Sequence, residues 1–310
     1  PMRGDDHWRL VGIVPPPLRG KEDLKFDDVF DSIRREAGAG LDLLGCTWFS
    51  TYRIHHRRAE RFRVGRCFVL GDAAHIHSPV GAQGMNTGLQ DAYNLGWKLA
   101  LVVAGRCDSS LLDSYEAERI PVARHLLETT DRLFSAAVSG SWVAGTFRTS
   151  VFPKILAMAM RLDRVRKAAF RTISQIGIRY RESPLSQNLE RVPEPAPRAG
   201  DRFPWLRLRL SPGGPVRDFF GELDDTRFHL VLAVQPAHSQ GVGELGDLLR
   251  VHAIPGDPHN DEEFARVGIP RPAFYLVRPD GYVGLCGGVF DPAALSRWVS
   301  ERLHWRSGPA

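Results

Sequence analysis

The 310 residues are 43% hydrophobic and 25% charged, with 30 glycines and 22 prolines, which excludes a chain disordered throughout and leaves room for about two domains with their own cores. Lys plus Arg number 41 against 36 Asp plus Glu, a formal charge of +5 and a pI near 9.2, a mild excess that suits an anionic cofactor and does not require nucleic acid. The four cysteines, Cys46, Cys67, Cys107 and Cys286, show neither Cys-x-x-Cys nor metal-ligand spacing, which argues against a disulfide framework or a zinc site and fits reduced thiols in a cytoplasm.

In chain order, residues 7–14 are strand-like and are stopped by Pro15, Pro16 and Pro17, as though the sequence opened in mid-sheet. Residues 27–37 look helical. Residues 46–55, rich in aromatic and β-branched side chains, read as a strand. A basic connection with Arg53, Arg57, Arg58, Arg61, Arg63 and Arg66 leads through Gly65 into an apolar strand, residues 67–70. Residues 86–104 carry apolar or small side chains at Leu89, Ala92, Tyr93, Gly96, Leu99, Ala100 and Val103, a helical period closed by Gly105. Asp108, Ser109 and Ser110 offer caps for a second helix through Glu118, which Pro121 kinks or replaces by another, and helix continues to about Tyr180. The proline-rich residues 183–204 read as a linker. Beyond them come strands at 228–234, 248–254 and 274–277, a turn at Pro279-Asp280-Gly281, a strand at 282–285 and a helix from Asp291-Pro292 with Leu295, Trp298, Val299 and Leu303 on one face. The longest apolar run, residues 99–104, is far shorter than the roughly 20 residues that span a bilayer.

The segment that carries chemistry is Gly-Arg-Cys-Phe-Val-Leu-Gly-Asp-Ala-Ala-His-Ile-His-Ser-Pro-Val-Gly-Ala-Gln-Gly-Met-Asn-Thr-Gly, residues 65–88. A strand ends at Gly71 and Asp72, a loop with Pro79 and Gly81 follows, and Gly84, Met85 and Asn86 open a long helix. A carboxylate at a strand's carboxyl end sits where open α/β sheets bind ligands. The free amides of the helix start, at the positive end of its dipole, make an anion site. His75 and His77 form a His-x-His pair without a third ligand at sensible spacing, so loop packing is the preferred reading over a metal. Asn94, Trp97 and Lys98 read as helix packing and surface, and Tyr115, Glu116 and Arg119 as a structural clamp between helices.

These residues, with Gln-Asp-Ala-Tyr-Asn-Leu-Gly-Trp-Lys-Leu at 90–99 and Leu-Leu-Asp-Ser-Tyr-Glu-Ala-Glu-Arg at 111–119, resemble the class A flavoprotein aromatic hydroxylases of the phenol hydroxylase and polyketide hydroxylase branch. The resemblance implies FAD as cofactor, NADPH or NADH as co-substrate, O2 and a small aromatic substrate, and hydroxylation of the ring by an oxygen carried on flavin C4a. It implies that Asp72 lies at the ribityl and neighbouring part of FAD, that Pro79 lies beside the isoalloxazine, and that the amides of Gly84, Met85 and Asn86 face flavin N1 and the C2 carbonyl, with Gly71 and Gly81 as further cofactor-binding residues. Oriented amides there stabilise the negative charge of reduced flavin without reorganising. Trp48 and Phe49 are candidate pocket residues, with core packing the equal alternative.

The family's opening βαβ unit with Gly-x-Gly-x-x-Gly has no counterpart in these residues; Gly241-Val242-Gly243-Glu244-Leu245-Gly246 has the spacing but not the strand and helix that a dinucleotide site needs. The expected architecture is α/β (α+β). Residues 1–60 are a remnant of a substrate-binding sheet domain and 61–182 the second part of an FAD-binding domain of the p-hydroxybenzoate hydroxylase-like type with its following helices. Residues 183–200 are a linker and 201–310 a thioredoxin-like domain without Cys-x-x-Cys, in which Pro272 is the candidate cis-proline. The reading is of a C-terminal portion, with a separately supplied N-terminal half and a homodimer as partner expectations, and no nucleic acid or membrane. The rival expectation is an inactive module that serves binding or assembly.

Overall fold

The computed structural model describes residues 2, 7–37, 44–53, 55–77, 83–138, 152–236 and 245–306. Its contacts divide into two units, Pro1–Ile54 and His55–Ala310.

In the first unit a 3-10 turn at Pro16–Leu18 precedes helix α1, Phe26–Ala37. Asp27 and Asp28 in its first turn and Arg34 and Arg35 in its last both complement the helix dipole. Asp28 also accepts the Lys25 N–H at 2.9 Å and Lys21 Nζ at 2.7 Å. Phe26 packs edge-on against Phe30 and Phe49. The strands expected at 7–14 and 46–55 are not formed in their described residues. A β-rich composition makes a strand only when a ladder partner exists, and no described residue pairs with either segment.

The second unit opens with four two-residue strands: β1 (Arg57–Arg58), β2 (Arg63–Val64), β3 (Cys67–Phe68) and β4 (His75–Ile76). β1 pairs antiparallel with β4, and β2 with β3 through a turn at Gly65. The buried strand expected at 67–70 is therefore a short hairpin arm, with Cys67 and Leu70 exposed. A 3-10 turn, Gly71–Ala73, follows it. Helix α2 spans Gly84–Val103 and helix α3 Asp113–Val138, the latter entered through a 3-10 turn at Ser109–Leu112 whose Ser110 N–H is capped by Asp108. α3 runs on past Pro121 without a second helix starting there. α4 (Phe152–Ala159) and α5 (Asp163–Ile173) complete the helical part.

The C-terminal part is built on a five-stranded sheet. Its strands are β5 (Gln187–Asn188), β8 (Phe228–Ala233), β9 (Leu249–Ile254), β10 (Ala273–Val277) and β11 (Val283–Gly287), with β6 (Arg207–Arg209) and β7 (Val216–Asp218) forming a separate hairpin. The order is β5-β11-β10-β8-β9; β8 and β9 are parallel, β10 is antiparallel to β8 and β11, and β5 is parallel to β11. Every residue of β8 and β10 is buried, because both faces of the sheet are covered. Helix α6 (Pro258–Val267) contributes Phe264 to one face, together with Phe203, Leu208 and Phe219. The other face receives Leu295, Trp298 and Val299 of helix α7 (Pro292–Glu301) and, from the helical part, Trp97, Leu101 and Leu111. The helical part and the sheet thus share one core.

The expected linker is part of that core. Within 183–204, β5 joins the sheet and Leu185, Ala196, Ala199 and Phe203 are buried. Gly200, at φ +85°, lies so close to Tyr180 that a Cβ would sit 2.4 Å from its carbonyl carbon. Proline here stiffens a packed segment instead of loosening a tether. The Arg271-Pro272 and Glu194-Pro195 bonds are cis. Among the described residues no helix is long and apolar enough to cross a membrane, and no three His, Cys, Asp or Glu side chains group as a metal site.

Candidate flavin-facing site

The 3-10 turn Gly71–Ala73 lies on the first turns of α2. A Cβ added at Gly88 would come within 3.1 Å of the Gly71 Cα, so the two backbones touch where only hydrogen is accommodated. Gly71 itself sits at φ +56°, in the left-handed region. Asp72 follows with an exposed side chain. Gln83 does not cap α2 with its side chain, which instead donates to the Thr172 carbonyl at 3.1 Å, and the first turn carries no acidic residue. Met85 and Asn86 are exposed. The result is a helix start without a side-chain cap among the described residues, with the His77 ring against Gly84, a surface carboxylate in the turn packed on the helix, and small residues where the backbones approach.

The inner face of this arrangement is a buried ionic network. Asp91, fully buried on α2, accepts the Gly71 N–H at 3.0 Å and faces His75 Nε2 at 2.8 Å with one oxygen, and accepts Arg119 Nε at 2.6 Å with the other. Burial pushes the Asp91 carboxyl up, but His75, the Arg119 charge and the Gly71 amide outweigh it and hold it below the usual range. Arg119 also donates to the Tyr180 hydroxyl at 2.8 Å and the Thr87 carbonyl at 3.1 Å. Tyr115 donates to the Val69 carbonyl and Glu116 accepts the Phe62 and Arg63 amides, so of the clamp expected between helices Arg119 joins α3 to α2, whereas Tyr115 and Glu116 tie α3 to the segment before the turn.

A second network lies one to two turns further along α2. Glu118 accepts Asn94 Nδ2 at 2.6 Å, Lys98 Nζ at 2.8 Å, Ser183 Oγ at 2.6 Å and Arg278 at 2.6 and 3.0 Å. Arg278 also pairs with Asp280, which accepts Trp97 Nε1 at 3.1 Å. Lys98, Glu118 and Arg278 are closed off from solvent. Burial pulls Lys98 down to about 8 against the pull of Glu118. Asn94 and Lys98 are therefore interior residues that bind the helical part to the β10–β11 turn, where the sequence suggested packing and surface.

Both networks correct the amphipathic reading of α2. Its buried side chains are Thr87, Asp91, Asn94, Leu95, Trp97, Lys98 and Leu101, whereas Leu89, Ala92, Tyr93, Gly96, Ala100 and Val103 of the expected apolar stripe are exposed. The spacing 87, 91, 94, 98 is itself helical, and was the available signal for the polar inner face.

Of the residues expected at the site, Gly71 and Asp72 lie in the turn that meets α2 at Gly88, and Gly84, Met85 and Asn86 form the first turn of that helix. Pro79 and Gly81 lie outside the described residues, as do most of Gly241–Gly246. Trp48 and Phe49 belong to the first unit; Trp48 is 73% exposed and Phe49 half-buried against Phe26.

Residues 1–130 match the FAD binding domain family. The chain is 33% identical over 282 residues to 6-methylpretetramide 4-monooxygenase of Streptomyces rimosus, covering 83% of this chain and 48% of that protein. It is 33% identical over 304 residues to an uncharacterized aromatic compound monooxygenase of Bacillus subtilis (strain 168), covering 95% and 56%. The solved structure of BexE, studied for oxidation during BE-7585A biosynthesis, superposes with a TM-score of 0.69 at 29% identity over 94% of this chain and 55% of that one. The chain spans about half the length of the curated relatives it matches. Over that span, the chain is similar to aromatic compound monooxygenases, and its residues 1–130 carry the match to an FAD binding domain.

Proposed function

We propose that the chain is the flavin-facing and C-terminal portion of an FAD-dependent, NAD(P)H-using monooxygenase that hydroxylates a phenolic or polyketide aromatic ring. The observation that carries this reading is the turn Gly71–Ala73 seated on the uncapped start of α2, with the Gly71 and Gly88 backbones in contact. The donor set fits the cofactor. Asp72 would accept hydrogen bonds from ribityl hydroxyls, and the amides of Gly84, Met85 and Asn86 would face the electron-rich N1 and C2 carbonyl edge, with Pro79 and Gly81 alongside. Because these amides are fixed by the helix, they stabilise added negative charge without reorganising. Bound FAD supplies the redox chemistry by which one oxygen atom of O2 reaches the ring while NAD(P)H provides the electrons.

We infer further that the C-terminal sheet is a thioredoxin-like domain: a parallel β8–β9 pair, an antiparallel β10 beside β8 and a β10–β11 hairpin support this. The pyrophosphate half of FAD would be held by polypeptide outside the 310 residues, a reading supported by the exposed apolar side chains of Met85, Leu89 and Tyr93 on α2. Trp48 and Phe49 remain the proposed aromatic-pocket residues. The test is the visible spectrum of the purified intact parent protein, including the polypeptide that would hold the pyrophosphate half, with NAD(P)H oxidation measured with and without a phenolic compound. FAD near one per chain and faster oxidation with the phenol support the reading. A protein that stays colourless when FAD is supplied refutes it and favours a binding or assembly module.

A further inference from the structure

We propose that Asp91 is the positioning residue of the flavin-facing turn, setting from inside the fold the direction in which Asp72 presents its carboxylate. The inference rests on the reading of Asp72 as a flavin contact, and goes beyond it by naming what holds that contact in place.

One oxygen of Asp91 is tied to both flanks of the turn: to the Gly71 N–H at its start and to His75 Nε2 just past its end. Between these tethers the Ala74 N–H closes the turn on the Gly71 carbonyl at 2.9 Å, and the Ala74 carbonyl accepts the Ala59 N–H at 2.7 Å. Asp72 is thus the exposed apex of a loop whose two ends meet at a single buried oxygen. The other Asp91 oxygen is held by Arg119 Nε, and Arg119 is held in turn by the Tyr180 hydroxyl and the Thr87 carbonyl, so the carboxylate is not free to rotate.

The site requires an ionised carboxylate. Three donors converge on it, and an amide would turn one N–H toward another N–H. Because a carboxylate only accepts, His75 Nε2 carries the proton, a tautomer assigned from the hydrogen-bond network. Among the described residues, His75 Nδ1 is buried without a hydrogen-bond partner, so the ring's hydrogen bond is the one to Asp91. The left-handed Gly71 backbone adds the reason for an outside restraint, since the chain has little intrinsic preference for that geometry over others.

The test follows hydrogen exchange by mass spectrometry in the turn, with β8 and β10 as internal reference, and titrates FAD by fluorescence. It uses wild type, Asp91→Asn and the double variant Asp91→Leu/Arg119→Met, which removes the carboxylate without leaving a buried cation unpaired if the single variant fails to fold. The expected result is about tenfold faster exchange across residues 70–75, with the reference strands unchanged and FAD affinity lowered about tenfold. A folded variant whose turn exchanges like wild type overturns the proposal. The exchange measurement needs no FAD, and Asp72→Asn is the separate control: if it binds FAD as wild type does, the flavin reading of Asp72 fails while exchange still decides the role of Asp91.

Discussion

Glu118→Gln is the most informative perturbation of the fold. The wild-type cluster contains two cations, Lys98 and Arg278, and two anions, Glu118 and Asp280, all inside the molecule. Lys98 and Arg278 hold the Glu118 carboxyl far below its usual range although burial alone pushes it up. Glutamine keeps the shape, removes one negative charge and turns an NH2 group toward donors that are 2.6 to 3.0 Å away. Breaking a buried pair in this way costs about 3–5 kcal/mol, because the remaining cations stay desolvated. For a unit of this size each kcal/mol moves the midpoint by roughly 2–4 °C, so a fall in Tm on the order of 10 °C is expected by circular dichroism. The charge count supplies the decisive control. Glu118→Gln leaves two cations facing Asp280, whereas Glu118→Gln with Lys98→Met leaves Arg278 and Asp280 as a balanced pair. The double variant is therefore expected to melt above Glu118→Gln. If it melts lower, or if Glu118→Gln costs less than a degree or two, charge balance is not what holds this joint.

Lys98 has a pH signature: between its folded value of about 8 and an unfolded value near 10.4, the unfolded chain binds more protons, so its contribution to stability rises with pH across that window. The Tm of wild type minus that of Lys98→Met should increase from pH 8 to pH 10, and a flat or falling difference refutes the assignment. Burial raises the Cys107 and Cys286 thiols to about 12 while Cys46 and Cys67 are exposed, so a thiol reagent at pH 8 should modify two groups rapidly in the native chain and four after denaturation. The same raised thiols keep their protons where the unfolded chain has lost them, so the stability they confer is present below about pH 8.5 and is lost as pH rises toward 12. Asp291→Ala removes the cap on the Ala293 N–H of α7 and should cost about 1 kcal/mol in denaturant unfolding, with no effect on the turn at Gly71–Ala73.

The C-terminal half was the more legible part of the sequence because its signals are local and agree with one another. The strands expected at 228–234, 248–254 and 274–277 appear within a residue or two of β8, β9 and β10. The turn before β11 and the Asp291-Pro292 helix start are likewise where turn and capping chemistry put them. In the first unit the helix expected at 27–37 is found as α1, but the expected strands are not. Residues 7–14 and 46–55 have strand composition, but a strand is a pairing relation, and composition cannot say whether a partner is present. The proline-rich stretch misled for a related reason. Pro193, Pro195 and Pro197 suggest a tether, yet their neighbours Leu185, Ala199 and Phe203 anchor the segment to the sheet through contacts distant in sequence.

Helix α2 shows why the candidate site was only half visible. Its motif located Gly84, Met85 and Asn86 at a helix start, because glycine content and spacing are properties of the chain itself. Its orientation followed a different rule from the one that hydrophobicity suggests. Thr87, Asp91, Asn94 and Lys98 face inward because each side chain has a charged or polar partner on another element: Gln175, Arg119 and His75, Glu118, and Glu118 again. Buried in isolation, any of them would be costly, and with those partners the inner face is satisfied. The apolar stripe Leu89, Tyr93 and Val103 is then left outward. An acidic residue at 91 and a basic one at 119 carry no mutual signal in the sequence; only the packing of α2 on α3 makes them a pair. The same packing puts the Asp91 carboxylate beneath Gly71, so the element that is hardest to read from the sequence is also the one that fixes the turn bearing Asp72.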